Sequence, residues 1–200
     1  MTLRELLLHR KLGWLAVIGP LWALASIWIS ISLSPWFAWR NNAVSDLGVH
    51  AVAPLFNSSL VICGIMCAVF SAGMAMRPKR ALERLGMAIL LLASISLVGI
   101  GLFNEHWSPH HMVFSVAFFV LLLVASLILT PYFMLRRATL PLAVGGLATM
   151  LLGVFDWAAY AAGALGPGVA VPEAMTFVPG AVWITMMGHR SLGRPQPAKV

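Results

Sequence analysis

Six long apolar segments dominate this sequence, and they restrict the chain to a membrane fold. They cover residues 12–33, 55–76, 85–103, 112–135, 140–162 and 171–187, and together they contain only two charged residues. About 20 apolar residues in a helix cross a hydrocarbon core of about 30 Å. Charged residues make up 10% of the chain and hydrophobic residues 60%, which excludes a water-soluble domain of this size. We predict an all-α, polytopic bundle of six transmembrane helices over residues 1–191, followed by a disordered tail at 192–200.

The basic residues lie on one side of these predicted crossings. Twelve of the thirteen Lys and Arg residues precede the first segment, follow the sixth, or lie in the second and fourth connections, and Arg40 is the exception. This asymmetry predicts that both termini are cytoplasmic, in a plasma membrane or a bacterial inner membrane. Membrane lipids are therefore the expected partners. The net charge of +7 does not indicate nucleic-acid binding, because the basic residues occupy short loops instead of one patterned face.

Acidic and imidazole side chains gather on the opposite side, which we predict to be the outer face. The members of this group are Asp46, Glu105, Asp156, Glu173, His50, His106, His110 and His111. Asp156 lies about two turns inside the fifth segment, where a carboxylate needs a partner such as Arg40. Tyr160 lies one turn further along the same helix face. Glu173 begins the sixth segment, so it is either a helix-start acid or a site residue.

Three histidines lie close together before and within the first turn of the predicted fourth helix. His106, His110 and His111 fall within six residues and follow Glu105 directly. Together with Asp46, they could bind a divalent metal such as zinc. The same side chains could act as acid, base or substrate ligand, or have a purely structural role. The sequence leaves these interpretations open, because no HExxH motif is present.

The connection 34–53, which we predict to form a lid or a re-entrant cap, contains the segment Val44-Ser-Asp-Leu-Gly48. This segment resembles the (I/V)SDLG signature of the domain of unknown function 998 family. Asn57 with Ser58, the segment 99–105, and His111 followed by Ser115 and Phe118 are similar to further family segments, although Asn104 replaces the usual proline. The resemblance covers most of the chain and extends distantly to six-span proteins related to autophagy modulators and yeast lipid-retention factors. It implies a six-span fold and topology but no established chemistry, and lipid-related roles are suggested only for the distant relatives. The functional residues that it would carry over are Ser45, Asp46, Asn57, Glu105 and His111.

Three functions are compatible with these observations. The first is a metal-dependent hydrolase or transferase that acts on a lipid or lipid-linked substrate. In that interpretation the catalytic residues are Asp46, Glu105, His111 and Glu173, and the substrate-binding residues are Ser45, Asn57, Arg40, Asp156 and Tyr160. The second is a non-catalytic protein for lipid binding, sensing or transfer. The third is a small proton-coupled transporter with Asp156 near its substrate path. The sequence does not predict the substrate or the oligomeric state.

Overall fold

The computed structural model describes residues 9–77 and 80–193, and this part of the chain forms six long helices. They are α1 (Gly13–Ser32), α2 (Ala53–Met76), α3 (Ala81–Leu102), α4 (Ser108–Met134), α5 (Leu140–Ala161) and α6 (Ala170–Leu192). All six are long and apolar enough to cross a membrane. The predicted all-α bundle of six membrane helices is therefore confirmed. Most of the predicted tail, residues 194–200, lies outside the described residues.

The six helices form a closed ring. Each packs against its neighbours in sequence, and α6 returns to α1. This last contact depends on small residues, since a Cβ atom added at Gly188 would lie 2.6 Å from the carbonyl oxygen of Gly13. Small side chains allow membrane helices to approach each other closely, and dispersion contacts then replace the missing hydrophobic driving force. The ring therefore closes where α1 and α6 both carry glycine.

Helix α6 is longer than its apolar pattern predicts. The predicted segment ends at residue 187 and is interrupted by Pro179, whereas the helix includes Pro179 and continues to Leu192. A proline is tolerated inside a membrane helix when its surroundings satisfy the freed backbone groups. The last turn is held by packing against α1, because Gly188 lies against Gly13 and Ser191 is buried. Hydropathy alone does not predict that contact between α6 and α1.

The interior of the ring divides into two apolar clusters. The larger one fills the end near the chain termini and includes Phe70, Leu90, Leu129 and Trp183. Trp183 is fully buried, and its Nε1–H group donates to the carbonyl oxygen of Leu142 at 2.9 Å. The second, smaller cluster lies at the other end of the ring and includes Leu47, Phe56 and Ile100. Since Leu47 belongs to the connection between α1 and α2, this connection is part of the packed core.

That connection, residues 33–52, folds onto one end of the ring as a cap. It contains a short 3₁₀ helix, Val44–Val49, that buries Val44 and Leu47. The connections 103–107 and 162–169 lie at the same end, because an even number of crossings separates them from the cap. We call this end of the bundle the polar face. It is the end at which the sequence predicts the acidic and imidazole cluster.

Candidate functional site

Hydrogen bonds between Asp46 and the residues just before the SDLG segment hold this segment in its conformation. One carboxylate oxygen of Asp46 accepts hydrogen bonds from the Asn42 side-chain amide at 2.7 Å and from the backbone N–H of Ala43 at 3.1 Å. The Asn42 amide oxygen accepts in turn from the backbone N–H of Ala38 at 2.9 Å. A side-chain acceptor at the start of a helix satisfies N–H groups that have no partner within the helix. Asp46 therefore stabilises the 3₁₀ helix to which it belongs.

Gly48 and Asn57 attach the cap to α2. The carbonyl oxygen of Gly48 accepts hydrogen bonds from the side-chain amides of Asn57 at 2.9 Å and Asn104 at 3.4 Å. A Cβ atom at Gly48 would lie 2.6 Å from the Asn57 side-chain oxygen, which is closer than any ordinary contact. Glycine is therefore needed here for close approach. Asn57, which the sequence predicts to bind substrate, anchors the cap in this structure.

Glu173 attaches the cap to α6. Its side chain is only 7% exposed, and one carboxyl oxygen accepts from the backbone N–H of Val44 at 2.6 Å. Two backbone bonds of 2.9 Å lie beside this contact, from Gly168 to the carbonyl oxygen of Arg40 and from Ala170 to that of Asn42. Glu173 is in the first turn of α6, where the helix dipole favours negative charge. Both interpretations of this residue are thus compatible with its position, because it also lines the cavities described below.

The remaining polar contacts join the cap to α4 and to the connection before it. The Ser45 hydroxyl donates to a carboxylate oxygen of Glu105 at 2.7 Å. His111 places its Nδ1 atom 2.8 Å from the carbonyl oxygen of Phe103 and its Nε2 atom 3.3 Å from the Ser115 hydroxyl oxygen. A carbonyl oxygen can only accept, so the proton of the neutral ring belongs on Nδ1, and Nε2 is left to accept. Ser45, Glu105, His111, Ser115 and Glu173 are called the polar cluster below.

The polar cluster lies at one end of a groove between α4 and α5. This lateral groove has a volume of about 590 Å³, within the usual range for small-molecule sites. Its walls include Met112, Val116 and Val120 of α4 and Val154 of α5, and each of these side chains is more than half exposed. In a membrane such side chains face lipid. The mouth of the groove is therefore lined by exposed apolar side chains of two helices that are long and apolar enough to cross a membrane.

A second, smaller cavity lies inside the ring. Its volume is about 100 Å³, and its lining is almost entirely apolar. Four residues line both the cavity and the lateral groove, namely Ser45, Ser115, Phe119 and Glu173. These side chains form the wall between the lipid-facing groove and the interior of the bundle.

The predicted site residues fall into two sets. Ser45, Glu105, His111 and Glu173 line the lateral groove. The others line neither of the two cavities: Arg40, Asp46, Asn57, His106, His110, Asp156 and Tyr160. Tyr160 donates to the carbonyl oxygen of Pro167 at 3.4 Å, and the His110 ring stacks on Phe103. Asp156 is buried, yet within the described ranges it forms no ion pair with the suggested partner Arg40.

The donor set does not fit a zinc ion. Among residues 9–77 and 80–193, no three His, Cys, Asp or Glu side chains converge in a way that could hold a metal. Of the predicted ligands, His106 and His110 are exposed, His111 uses both ring nitrogens within the protein, and Asp46 accepts from the cap. A zinc site needs three or four converging ligands. The described residues therefore provide no such set of ligands.

Most of the residues that line the groove were not selected as site residues from the sequence. Ser115, Phe119 and Trp157 are among them. The Nε1–H group of Trp157 donates to the Thr176 hydroxyl oxygen at 3.2 Å. Ser115 could have been identified, because it follows His111 by four residues and such residues share one face of a helix.

Comparison with known proteins places the chain in a family. Neither the curated proteins nor the solved structures include a significant match to this sequence. The family described as "Protein of unknown function (DUF998)" matches residues 17–190, which contain all the helices from within α1 to the last turn of α6. This match covers most of the chain. The protein therefore belongs to the DUF998 family of multi-span membrane proteins.

Proposed function

We propose that the protein binds a neutral glycerolipid from the bilayer in the lateral groove. The observation that supports this most is the placement of the polar cluster at one end of a groove whose apolar walls face lipid. An amphiphile matches this arrangement, because its chain would lie against the walls while its headgroup contacts the cluster. Such a ligand could enter from the membrane without passing through water.

The chemistry of the polar cluster favours a headgroup that donates hydrogen bonds. Glu105 and Glu173 provide carboxyl oxygens, and no Lys or Arg is among the described residues that line the groove. The Glu105 carboxylate accepts from hydroxyl or amine groups and repels a phosphate monoester. A diacylglycerol, with one free hydroxyl and no charge, satisfies these conditions. A phosphatidic acid does not.

The positive-inside pattern supports an orientation in which the polar face is extracytoplasmic. The lipid would then be taken from the outer leaflet.

Two other functions receive less support from the site. A metal-dependent hydrolase requires converging ligands, which the described residues do not supply. The proton-coupled carrier was suggested with Asp156 near its substrate path, and that side chain lines neither of the two cavities.

Photo-crosslinking tests the proposal. The purified protein would be placed in phosphatidylcholine vesicles that contain a diacylglycerol with a photoactivatable acyl chain, and the labelled peptides would be identified by mass spectrometry. We expect labels on α4 and α5 at the walls of the groove. Unlabelled diacylglycerol should compete for the site, and phosphatidic acid should not.

A pair of matched variants locates the binding site. Val154 and Val144 both lie on α5 and are both more than half exposed, but only Val154 lines the groove. Val154→Trp should fill the groove and reduce labelling about tenfold, which corresponds to about 1.4 kcal/mol of binding free energy. Val144→Trp should leave it unchanged. Equal labelling of both variants would show that the lipid does not occupy the groove.

A further inference from the structure

Ser115 differs in its hydrogen bond from four other hydroxyl residues of the membrane helices. Ser94, Ser96, Thr149 and Thr176 each donate to the carbonyl oxygen four residues earlier. This is the usual arrangement for Ser and Thr inside helices. The Ser115 hydroxyl instead lies 3.3 Å from Nε2 of His111, the side chain one turn before it. Its proton therefore has a basic nitrogen as its acceptor.

The His111 ring is oriented by a second contact. Its Nδ1 atom lies 2.8 Å from the carbonyl oxygen of Phe103, so Nδ1–H is the donor and Nε2 presents a lone pair to Ser115. A hydroxyl, a base and a group that orients the base make up the arrangement that activates a serine nucleophile. Here the orienting group is a backbone carbonyl. The arrangement comes from α4 and the connection before it.

Ser115 and His111 are also accessible to a ligand. Both side chains line the lateral groove, and both are partly exposed. A fully buried pair could not meet a substrate, whereas this one lies where the headgroup and ester region of a bound glycerolipid would lie. The Ser115 hydroxyl thus has a base beside it and can also be reached by a ligand in the groove.

We propose that Ser115 and His111 catalyse metal-independent acyl transfer from an ester of the lipid held in the groove. This inference rests on the proposed lipid-binding function. The Ser115 oxygen attacks the ester carbonyl carbon while its proton passes to Nε2 of His111. The bond from that carbon to the alcohol oxygen breaks, and the released alcohol takes the proton from Nε2. Water then attacks the acyl-serine with His111 as base, which releases the fatty acid and restores the Ser115 hydroxyl.

A long-chain alkyl fluorophosphonate, which reacts with activated serines, tests this step. The protein in phosphatidylcholine vesicles should form an adduct on Ser115 that is identified by peptide mass spectrometry. Ser115→Ala should abolish the adduct. The control is Ser58→Ala, at an exposed helix serine that donates to the carbonyl oxygen of Pro54 and lines neither cavity. This control should keep the full rate of labelling.

The variant His111→Asn removes the base but can keep the hydrogen bond that orients the side chain. An asparagine amide can still donate to the carbonyl oxygen of Phe103, but it has no basic nitrogen at the position of Nε2. Because a general base contributes a factor of about 10² to 10⁴, labelling of Ser115 should slow about 100-fold or more. An unchanged rate in His111→Asn would overturn the proposed activation. The helical circular dichroism signal and the unfolding temperature in detergent of this variant and of Ser115→Ala should stay close to those of the wild type, which shows that both are folded.

The two proposals fail in different ways. If wild-type protein is crosslinked by the photoactivatable diacylglycerol but forms no fluorophosphonate adduct on Ser115, acyl transfer is refuted while lipid binding stands. If diacylglycerol does not label the groove, the lipid-binding proposal is refuted, and with it the inferred substrate. An adduct on Ser115 that depends on His111, together with groove labelling, supports both.

Discussion

The close approach of Gly48 to Asn57 gives the sharpest prediction about the cap. In Gly48→Ala, the new Cβ atom would lie 2.6 Å from the Asn57 side-chain oxygen and 3.4 Å from Cδ1 of Phe56. The second distance is tolerable, but the first requires Asn57 to move. Asn57 cannot move without losing its 2.9 Å bond to the carbonyl oxygen of Gly48. The variant should therefore weaken the attachment of the cap to α2.

The loss of stability in Gly48→Ala has two contributions. A lost hydrogen bond costs about 1 kcal/mol, and accommodating one extra methyl group in a packed site costs about 1 kcal/mol more. Among the described glycines, only Gly163 and Gly166 have positive φ, so the backbone at Gly48 imposes no additional strain on alanine. The total of about 2 kcal/mol should lower the unfolding temperature by about 4–8 °C for a chain of this length. Thermal unfolding in detergent, followed by circular dichroism, measures it.

A double variant tests the reasoning behind this value. Asn57→Ala removes both the clash and the hydrogen bond, so we expect it alone to cost about 1 kcal/mol. Adding Gly48→Ala in that background should cost almost nothing, because the only close contact is gone. Residues in direct contact are expected to show such non-additivity. If Gly48→Ala lowers the unfolding temperature equally in both backgrounds, the penalty does not come from Asn57 and the explanation is wrong.

Three further substitutions test the contacts that hold the bundle, each by the same unfolding measurement. Asp46→Ala removes the acceptor of two hydrogen bonds in the cap and should cost about 1–3 kcal/mol. Asp46→Asn keeps one acceptor oxygen and should cost less, and equal losses would contradict the capping role. Glu173→Ala leaves the Val44 N–H group without its acceptor and should cost about 1–3 kcal/mol, whereas Glu173→Gln should retain most of the stability. Trp183→Phe removes the bond to a buried carbonyl oxygen and should be destabilising by about 1–3 kcal/mol, while the same change at the exposed Trp14 should have little effect.

The fold was largely predictable because a membrane helix appears in the sequence as a continuous run of about 20 apolar residues. The predicted segment 55–76 corresponds to α2 at Ala53–Met76, and Pro54 lies in its first turn, where its missing N–H group costs nothing. The end of α6 was not predictable in the same way. The turn after residue 187 is held by packing against α1, and a contact between the two ends of the chain leaves no mark in local hydropathy.

The candidate site was predictable only in part, since sequence shows which side chains are polar but not what they contact. Ser45 and Glu105 were both predicted, and the structure joins them by a hydrogen bond across 60 positions. Asp46 and Asn57 carried the same resemblance to the family, yet their side chains bind the cap itself. A carboxylate that caps a turn and one that lines a groove look alike in sequence. Only the position of the donor N–H groups distinguishes them.

The polar cluster divides into a part that holds the cap and a part that does not. Glu173 contacts the cap through the backbone of Val44, and Glu105 contacts it through the Ser45 hydroxyl. Among residues 9–77 and 80–193, the side chains of His111 and Ser115 form hydrogen bonds with each other and with the carbonyl oxygen of Phe103, which precedes α4 in the chain. Hydrogen bonds to the cap therefore constrain Glu173 and Glu105, whereas the hydrogen bonds of His111 and Ser115 do not involve the described cap residues. Substitutions at His111 and Ser115 therefore remove no hydrogen bond to the cap. For this reason they can test the proposed chemistry separately from the attachment of the cap.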